Sequence, residues 1–235
     1  MLYLIGLGLN EKGYSREAYE TISKADKVYV DTYTIEFPYE ISALTSQFKG
    51  KKFIAVGREF VEGMNFLKEA KENDVVLLVY GSPLVATTHT AIIKEAIEKK
   101  MKIKIIHAGS ILDAVAETGL QPYKFGKTTS LPNFPADSYL KIVKENMKIK
   151  AHTLVLVDIG LKFEDAIKRL EDDCKNMKVN ISKILVCECL GLKDSHIYYE
   201  NMSKLKNKKI KAPFCFIIPG NLHFLEKEFL ESFNN

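Results

Sequence analysis

The side chains that could do chemistry gather where apolar runs give out. The clearest case is Gly81-Ser82-Pro83-Leu84-Val85-Ala86-Thr87-Thr88-His89, which follows Val75-Val76-Leu77-Leu78-Val79-Tyr80. Its small residues leave backbone open to a ligand, Ser82 offers a hydroxyl, and His89 puts a titratable ring beside the turn. A helix opening at His89 would favour the neutral ring through its N-terminal dipole. The same residues also suit an ordinary strand-to-helix turn, with His89 as a cap or packing group, because Gly and Pro punctuate such junctions. Two more small-residue junctions, Gly6-Leu7-Gly8-Leu9 and His107-Ala108-Gly109-Ser110-Ile111, end other apolar runs. Asp158 closes Leu154–Val157 and reads either as a functional carboxylate or as a turn residue.

Several chemistries are argued against. A dinucleotide fingerprint starting at Gly6 would need its third glycine at position 11, which is Glu11. The next helix also starts late, near Ser15, too far on to present its N-terminus to a pyrophosphate. No Gly-x-x-x-x-Gly-Lys-Ser/Thr loop exists for a triphosphate, and no Gly-x-Ser-x-Gly elbow for a nucleophilic serine. Three small-residue junctions on one sheet edge suit an adenosine-bearing cofactor without phosphates. The five histidines are dispersed, with no metal-ligand spacing. His107 and His152 adjoin apolar strands and read as hydrogen-bonded structural residues. Cys187-x-Cys189 is one residue short of a metal pair, so a buried thiol pair on one strand face is expected.

The elements that must position these residues alternate between strand and helix over residues 1–107. Strands are expected at Leu2–Ile5, Lys27–Val30, Lys52–Val56, Val75–Tyr80 and Lys102–Ile106, with helices near Ser15–Lys24, Glu40–Phe48, Glu62–Glu72 and Thr88–Lys99. Ser15 is a plausible N-cap, and Glu17 sits in the first turn. Such alternation implies a mainly parallel sheet covered by helices, with ligands at the carboxyl ends of its strands. From residue 110 the rhythm changes. A short helix Ser110–Glu117 precedes an irregular stretch, Leu120–Pro135, and helices follow at Ala136–Lys148, Phe163–Asn176 and Leu222–Phe233. Strands at His152–Val157, Lys183–Cys189, His196–Glu200 and Phe214–Ile218 have short connections, which suggests an antiparallel or mixed sheet. The expected domains are residues 1–109 and 110–235, with a cleft between them for a ligand.

Composition sets the remaining bounds. With 46% hydrophobic and 27% charged residues, the 235-residue chain reads as folded and soluble. No apolar run approaches a membrane span, and Met1–Gly6 reads as a first strand, without the basic start of a signal peptide. Only Arg16, Arg58 and Arg169 are arginines among 34 basic residues, which argues against a dedicated nucleic-acid reader. The lysine-rich stretch Lys204 to Lys211 reads as a solvated surface more readily than as a guide for an acidic partner.

In their order, these segments resemble one family. The matching segments are Met1 to Leu9, Tyr33-Thr34, Pro83 to His89, Ile106-His107 with Ser110-Ile111, and Thr118-Gly119-Leu120. They continue through Tyr123-Lys124-Phe125-Gly126-Lys127, His152-Thr153-Leu154 with Asp158-Ile159, and Pro219 to His223. Together they span nearly the whole chain, and it is similar to the diphthine synthase family. That family sits within the tetrapyrrole-methylase-like class of S-adenosyl-L-methionine-dependent methyltransferases. The resemblance implies an α/β fold of two domains, the first a mainly parallel sheet with flanking helices and the second a mixed-sheet α/β domain. It places S-adenosyl-L-methionine in the cleft between them, with no metal, and implies a cytoplasmic homodimer. Carried over by position, the cofactor contacts are Leu9, Ser82, Val85, Ser110, Ile111, Val157, Leu190 and Phe214. The implied reaction methylates the amino group of the 3-amino-3-carboxypropyl histidine on translation elongation factor 2 to the trimethylammonium form. Some family members also methylate the carboxylate.

The chain departs from the family pattern in places. Ser82 stands where the family usually has Asp, and Phe214 where it often has His. The family's Ala-Arg-Ala-Gly region is Glu188-Cys189-Leu190-Gly191, and the second half is shorter. His89, Asp158 and Tyr33 are the candidate catalytic residues, the first two as bases and the third lining the substrate side. Lys124 and Lys127 are candidates for docking the elongation factor. Two other readings stay open: a tetrapyrrole or RNA methylase of the same fold, and a non-catalytic module that binds an adenosine ligand. Leu9-Asn10 and the scarcity of arginine argue against the former, while Ser82 admits the latter.

Overall fold

The computed structural model describes residues 1–234, and the chain divides into two compact units between Leu112 and Asp113. The expected α/β architecture forms in both. In the first unit, strands β1 (Leu2–Gly6), β2 (Lys27–Asp31), β3 (Phe53–Val56), β4 (Val75–Val79) and β5 (Ile103–Ile106) make one sheet in the order β3-β2-β4-β1-β5. Every pairing in it is parallel. The apolar run at β4 explains its place between β2 and β1. Val75, Leu77 and Val79 pack into one hydrophobic layer, Val76 and Leu78 into the opposite one, and all five are fully buried. Parallel strands buried on both faces read as unbroken apolar runs for this reason.

Helices fill the crossovers. α1 (Arg16–Lys24) is capped by Ser15, whose side chain accepts from the Ala18 amide, and it buries Ala18 and Ile22. α2 (Ile41–Thr45) follows β2. The expected helix over Glu62–Glu72 is instead two short pieces, α3 (Arg58–Gly63) and α4 (Phe66–Glu69), because Met64 takes a left-handed conformation between them. Gly63-Met64-Asn65 carries no proline, so the apolar spacing alone hides the break. α5 (Thr90–Glu98) buries Ile92 and Ala96, and α6 (Ile111–Ala114) opens after β5.

The second unit holds a mixed sheet. The stretch expected to be irregular contains a strand, β6 (Thr129–Leu131), which pairs in parallel with β7 (Thr153–Val157) across the long helix α7 (Ser138–Lys148). Three residues are too short for periodicity to mark. α8 (Phe163–Asn176), β8 (Ile184–Glu188), β9 (His196–Glu200), α9 (Met202–Leu205), β10 (Phe214–Ile218) and α10 (Phe224–Glu231) complete the order. The strands run β6-β7-β10-β8-β9, and β10 is antiparallel to both its neighbours. Leu131, Val155, Val186, Phe216 and Ile218 pack against Leu140, Val143, Ile167 and Leu170 of the helices.

Cys187 and Cys189 do not form the expected same-face pair. β8 ends at Glu188, and Cys189 has a positive φ of 49°. Cys187 instead lies opposite Cys215 on β10, and both thiols are buried and free. Their mutual hydrogen bond and burial hold the Cys187 thiol well above its ordinary pKa, which leaves it unreactive.

A buried polar cluster fastens α10 to the rest of this unit. Glu226, 1% exposed, accepts from the Gln121 amide (2.9 Å), from the His223 amide (2.7 Å) and from His152 Nε2 (3.1 Å), and it pairs with Lys124. His152 Nδ1 accepts from the Gly220 amide at 2.9 Å, so the ring's proton lies on Nε2. The structural role expected of His152 is thus what it fills. Burial alone would raise the Glu226 pKa, but Lys124 and the two amides overrule it and lower the value to about 2. A depressed carboxyl pKa gives stability that is complete above the ordinary value of 4.5 and lost as pH falls towards about 2. Glu226→Gln should therefore cost on the order of 3 kcal/mol at neutral pH. Denaturant titrations of both proteins should also show a shallower loss of stability in the variant between those two pH values. Equal pH slopes would show that Glu226 does not titrate with unfolding.

Candidate functional site

The carboxyl ends of β2, β4, β1 and β5 are neighbours along one edge of the first sheet. Close backbone approach defines this edge. Gly8 and Gly81 exchange amide-to-carbonyl bonds of 3.1 and 2.9 Å, which ties the segment after β1 to the loop after β4. A Cβ at Gly6 would lie 2.6 Å from the Gly81 carbonyl, so no side chain fits there. Gly8 has a φ of +70°, and a Cβ on it would lie 2.5 Å from the Gly13 carbonyl. Both positions need glycine for that reason. By contrast, nothing lies within 4 Å of where a Cβ at Gly109 would stand. The result is a floor of nearly bare backbone.

Five of the residues singled out for a cofactor lie on this edge. Leu9 follows the Gly8 bridge, and its carbonyl accepts from the Tyr80 hydroxyl at 2.8 Å. Ser82 and Val85 sit in the loop after β4, where the Val85 amide donates to the Ser82 carbonyl. Ser110 and Ile111 lead into α6 after β5. Ser82 and Ser110 are buried, whereas Leu9, Val85 and Ile111 are half-buried. Apolar side chains beside two hydroxyls and open backbone match a nucleoside better than a phosphate. The other three residues lie in the second unit, on one edge of its own sheet. Val157 ends β7, Leu190 follows β8 by two residues, and Phe214 begins β10. The antiparallel course of β10 brings its start beside the ends of both neighbours.

Of the catalytic candidates, His89 is placed differently from what a solvent-facing base requires. It is 1% exposed. Its Nδ1 lies 3.0 Å from the Pro83 carbonyl, and its Nε2 lies 3.0 Å from Oδ2 of the fully buried Asp31. A carbonyl can only accept, so Nδ1 carries a proton. Nε2 lies beside Asp31 without an aligned hydrogen bond. Tyr33 has its hydroxyl 3.1 Å from Thr88 Oγ1 and its ring edge-on to His89. Asp158 is half-buried, and its Oδ2 accepts from the Asn133 amide at 3.2 Å.

Other expectations need correction. His107 is exposed rather than structural, with Nδ1 3.4 Å from Ser82 Oγ on the same edge. Lys124 is bound to Glu226 and to the Asn221 carbonyl within the fold, whereas Lys127 pairs with Glu145 at 2.7 Å on the exposed surface. Sequence reasoning did not single out Asp31. The signal was Asp31-Thr32-Tyr33-Thr34 at a strand end, a pattern in which an aspartate often binds the amides that follow it. Among the described residues no group of three His, Cys, Asp or Glu could hold a metal ion, and no helix is long and apolar enough to cross a membrane.

Comparison with known proteins converges on one family. Residues 1–206 match the family described as Tetrapyrrole (Corrin/Porphyrin) Methylases. A diphthine synthase of Methanococcus maripaludis is 35% identical, with 98% of each chain covered. A diphthine methyl ester synthase of Dictyostelium discoideum is 36% identical over 99% of this chain and 98% of its own. A crystal structure of diphthine synthase superposes with a TM-score of 0.91 at 33% identity, covering 99% of this chain and 95% of that one. The chain is therefore a methyltransferase of the tetrapyrrole methylase family and, within it, belongs to the diphthine synthases.

Proposed function

We propose that the chain transfers methyl groups from S-adenosyl-L-methionine to the amino group of the 3-amino-3-carboxypropyl histidine of translation elongation factor 2. The product is the trimethylammonium form, diphthine. The observation that carries this reading is the bare-backbone edge over β4, β1 and β5, lined by Leu9, Ser82, Val85, Ser110 and Ile111, in a chain alike from end to end to diphthine synthases. We assign the adenosine to that edge. Val157, Leu190 and Phe214 are proposed as further cofactor contacts on the strength of the family resemblance. A cytoplasmic homodimer acting on a protein substrate, without nucleic acid, completes the reading. A second outcome, methylation of the carboxylate as well, draws support from the methyl ester synthase of Dictyostelium among the relatives.

When bound, the cofactor supplies a methyl group on an already activated sulfonium, so this chain's residues have alignment as their main task. The amine must arrive neutral. Its lone pair forms the nitrogen–carbon bond as the carbon–sulfur bond breaks, S-adenosyl-L-homocysteine leaves, and the new ammonium loses a proton before the next round. Water or Asp158 takes that proton in this reading. Asp158 stays half-buried at a strand end, while His89 is buried with Nδ1 bonded to the Pro83 carbonyl. Ser82 Oγ, 3.4 Å from His107 Nδ1, offers a neutral hydrogen bond where the family usually has a carboxylate.

Calorimetric titration with S-adenosyl-L-homocysteine tests the assignment. The wild type should bind with a micromolar Kd, about −8 kcal/mol. Ser82→Asp should tighten binding about fivefold by adding a charge-assisted bond to the ligand's ammonium. No binding by the wild type, with binding restored by Ser82→Asp, would identify a chain that has kept the fold without the cofactor. If neither protein binds, the cofactor assignment fails.

A further inference from the structure

Two loops of the first unit meet through buried side chains, and each is organised by one of them. The loop after β4 folds around a single carbonyl. Pro83 O accepts from Thr87 Oγ1 at 2.8 Å and from His89 Nδ1 at 3.0 Å. Between these anchors Ala86 is held at a positive φ of 56°, a conformation that a non-glycine residue keeps only when its surroundings impose it. The loop after β2 turns on Asp31. Its Oδ1 accepts from the amides of Tyr33 (2.8 Å) and Thr34 (3.3 Å), and its Oδ2 accepts from Thr34 Oγ1 at 3.0 Å. Asp31 Oδ2 also meets His89 Nε2, and at the surface the Tyr33 hydroxyl meets Thr88 Oγ1.

A buried ion pair adds little net stability, because desolvation offsets the attraction. The Asp31–His89 contact lacks even the alignment of a full hydrogen bond, since Nε2 has no hydrogen-bond partner by angle. Apolar side chains would hold the two loops together at least as well. They would not fix the angle of the Pro83 carbonyl or the direction of the Asp31 turn. The directional bonds are those each residue makes within its own loop, His89 Nδ1 to the Pro83 carbonyl and Asp31 from the Tyr33 and Thr34 amides.

We propose that Asp31 and His89 are positioning residues. Their buried contact, 3.0 Å between Nε2 and Oδ2, is a clasp that sets the Ser82–Thr88 loop and the Tyr33 turn in the arrangement that receives the cofactor. The inference rests on the reading above that this edge binds the cofactor. It removes His89 from the proton-transfer step and gives it a different task. Neither residue need touch a reacting atom.

Two substitutions separate the halves of the clasp. In His89→Asn the amide nitrogen stands near the place of Nδ1, keeping the Pro83 bond and losing Asp31. In His89→Gln it reaches the place of Nε2, keeping Asp31 and losing Pro83. Thr88→Val cuts only the exposed contact with Tyr33, at a site where folding is not at risk. Each purified protein is titrated with S-adenosyl-L-homocysteine, and amide hydrogen exchange across residues 31–34 and 82–89 is followed without ligand. Both His89 variants should raise Kd about tenfold or more, and Thr88→Val about threefold. Exchange in the two loops should quicken while β4 stays protected. At saturating cofactor, kcat should remain near the wild-type value. A base would show the reverse: kcat lost, with Kd unchanged. Wild-type binding matched by all three variants, with unaltered exchange, would overturn the clasp and leave the cofactor assignment standing. Absence of binding by the wild type would remove that assignment, and the clasp with it.

Discussion

Val75, Leu77 and Val79 face one apolar layer while Val76 and Leu78 face the other, so β4 has no side exposed to water. A strand in that position must find hydrogen-bonding partners on both edges, and it finds them in β2 and β1. The parallel pairing then forces every crossover to return over the sheet, which collects the carboxyl ends at one edge. Gly81, Ser82 and the loop to His89 emerge there because β4 ends there. The bare backbone at Gly6 and Gly8 follows from the same constraint, since the segments leaving β1 and β4 must bridge within hydrogen-bonding distance.

How legible each feature was in the sequence depends on the range of the interaction behind it. The strands of the first sheet declare themselves through local runs such as Val75–Val79, and the helices through apolar spacing and the Ser15 cap. β6 does not, because Thr129-Ser130-Leu131 is defined by its pairing with β7 and not by its own pattern. The left-handed turn at Met64 likewise has no composition to announce it. His89 stood out beside its turn, but its burial was set by Asp31, 58 residues earlier in the chain. Lys124 drew notice as a surface cation, whereas its partner Glu226 lies about a hundred residues on. Polar side chains whose partners are distant in sequence are where reading along the chain runs out.

The two sheets reach comparable ends by different means. In the first unit all strands run in parallel, so a single edge gathers carboxyl ends alone. In the second, β10 runs against β7 and β8, and one edge mixes the start of β10 with the ends of its neighbours. Val157, Leu190 and Phe214 share an edge only through that reversal. Charge plays a small part in both places. Ser82 and Ser110 are neutral, and the lysines nearest the candidate docking segment are already paired within the fold.

The staple between Glu226 and Gln121, Lys124 and His152 bears on how the chain folds as it is synthesised. Every strand pairing of the first unit lies within residues 2–106, so that unit can complete its core while later residues are still being added. The second unit has no such freedom. Its Gln121 amide, Lys124 ammonium and His152 ring wait for a carboxylate that leaves the ribosome 102 residues after Lys124. Until then those three groups keep their water, and closing the long loop to α10 is an entropic cost that the second unit meets after its earlier strands are made. The order of translation thus becomes an order of assembly, with the first sheet formed early and the second unit locked only once α10 has emerged.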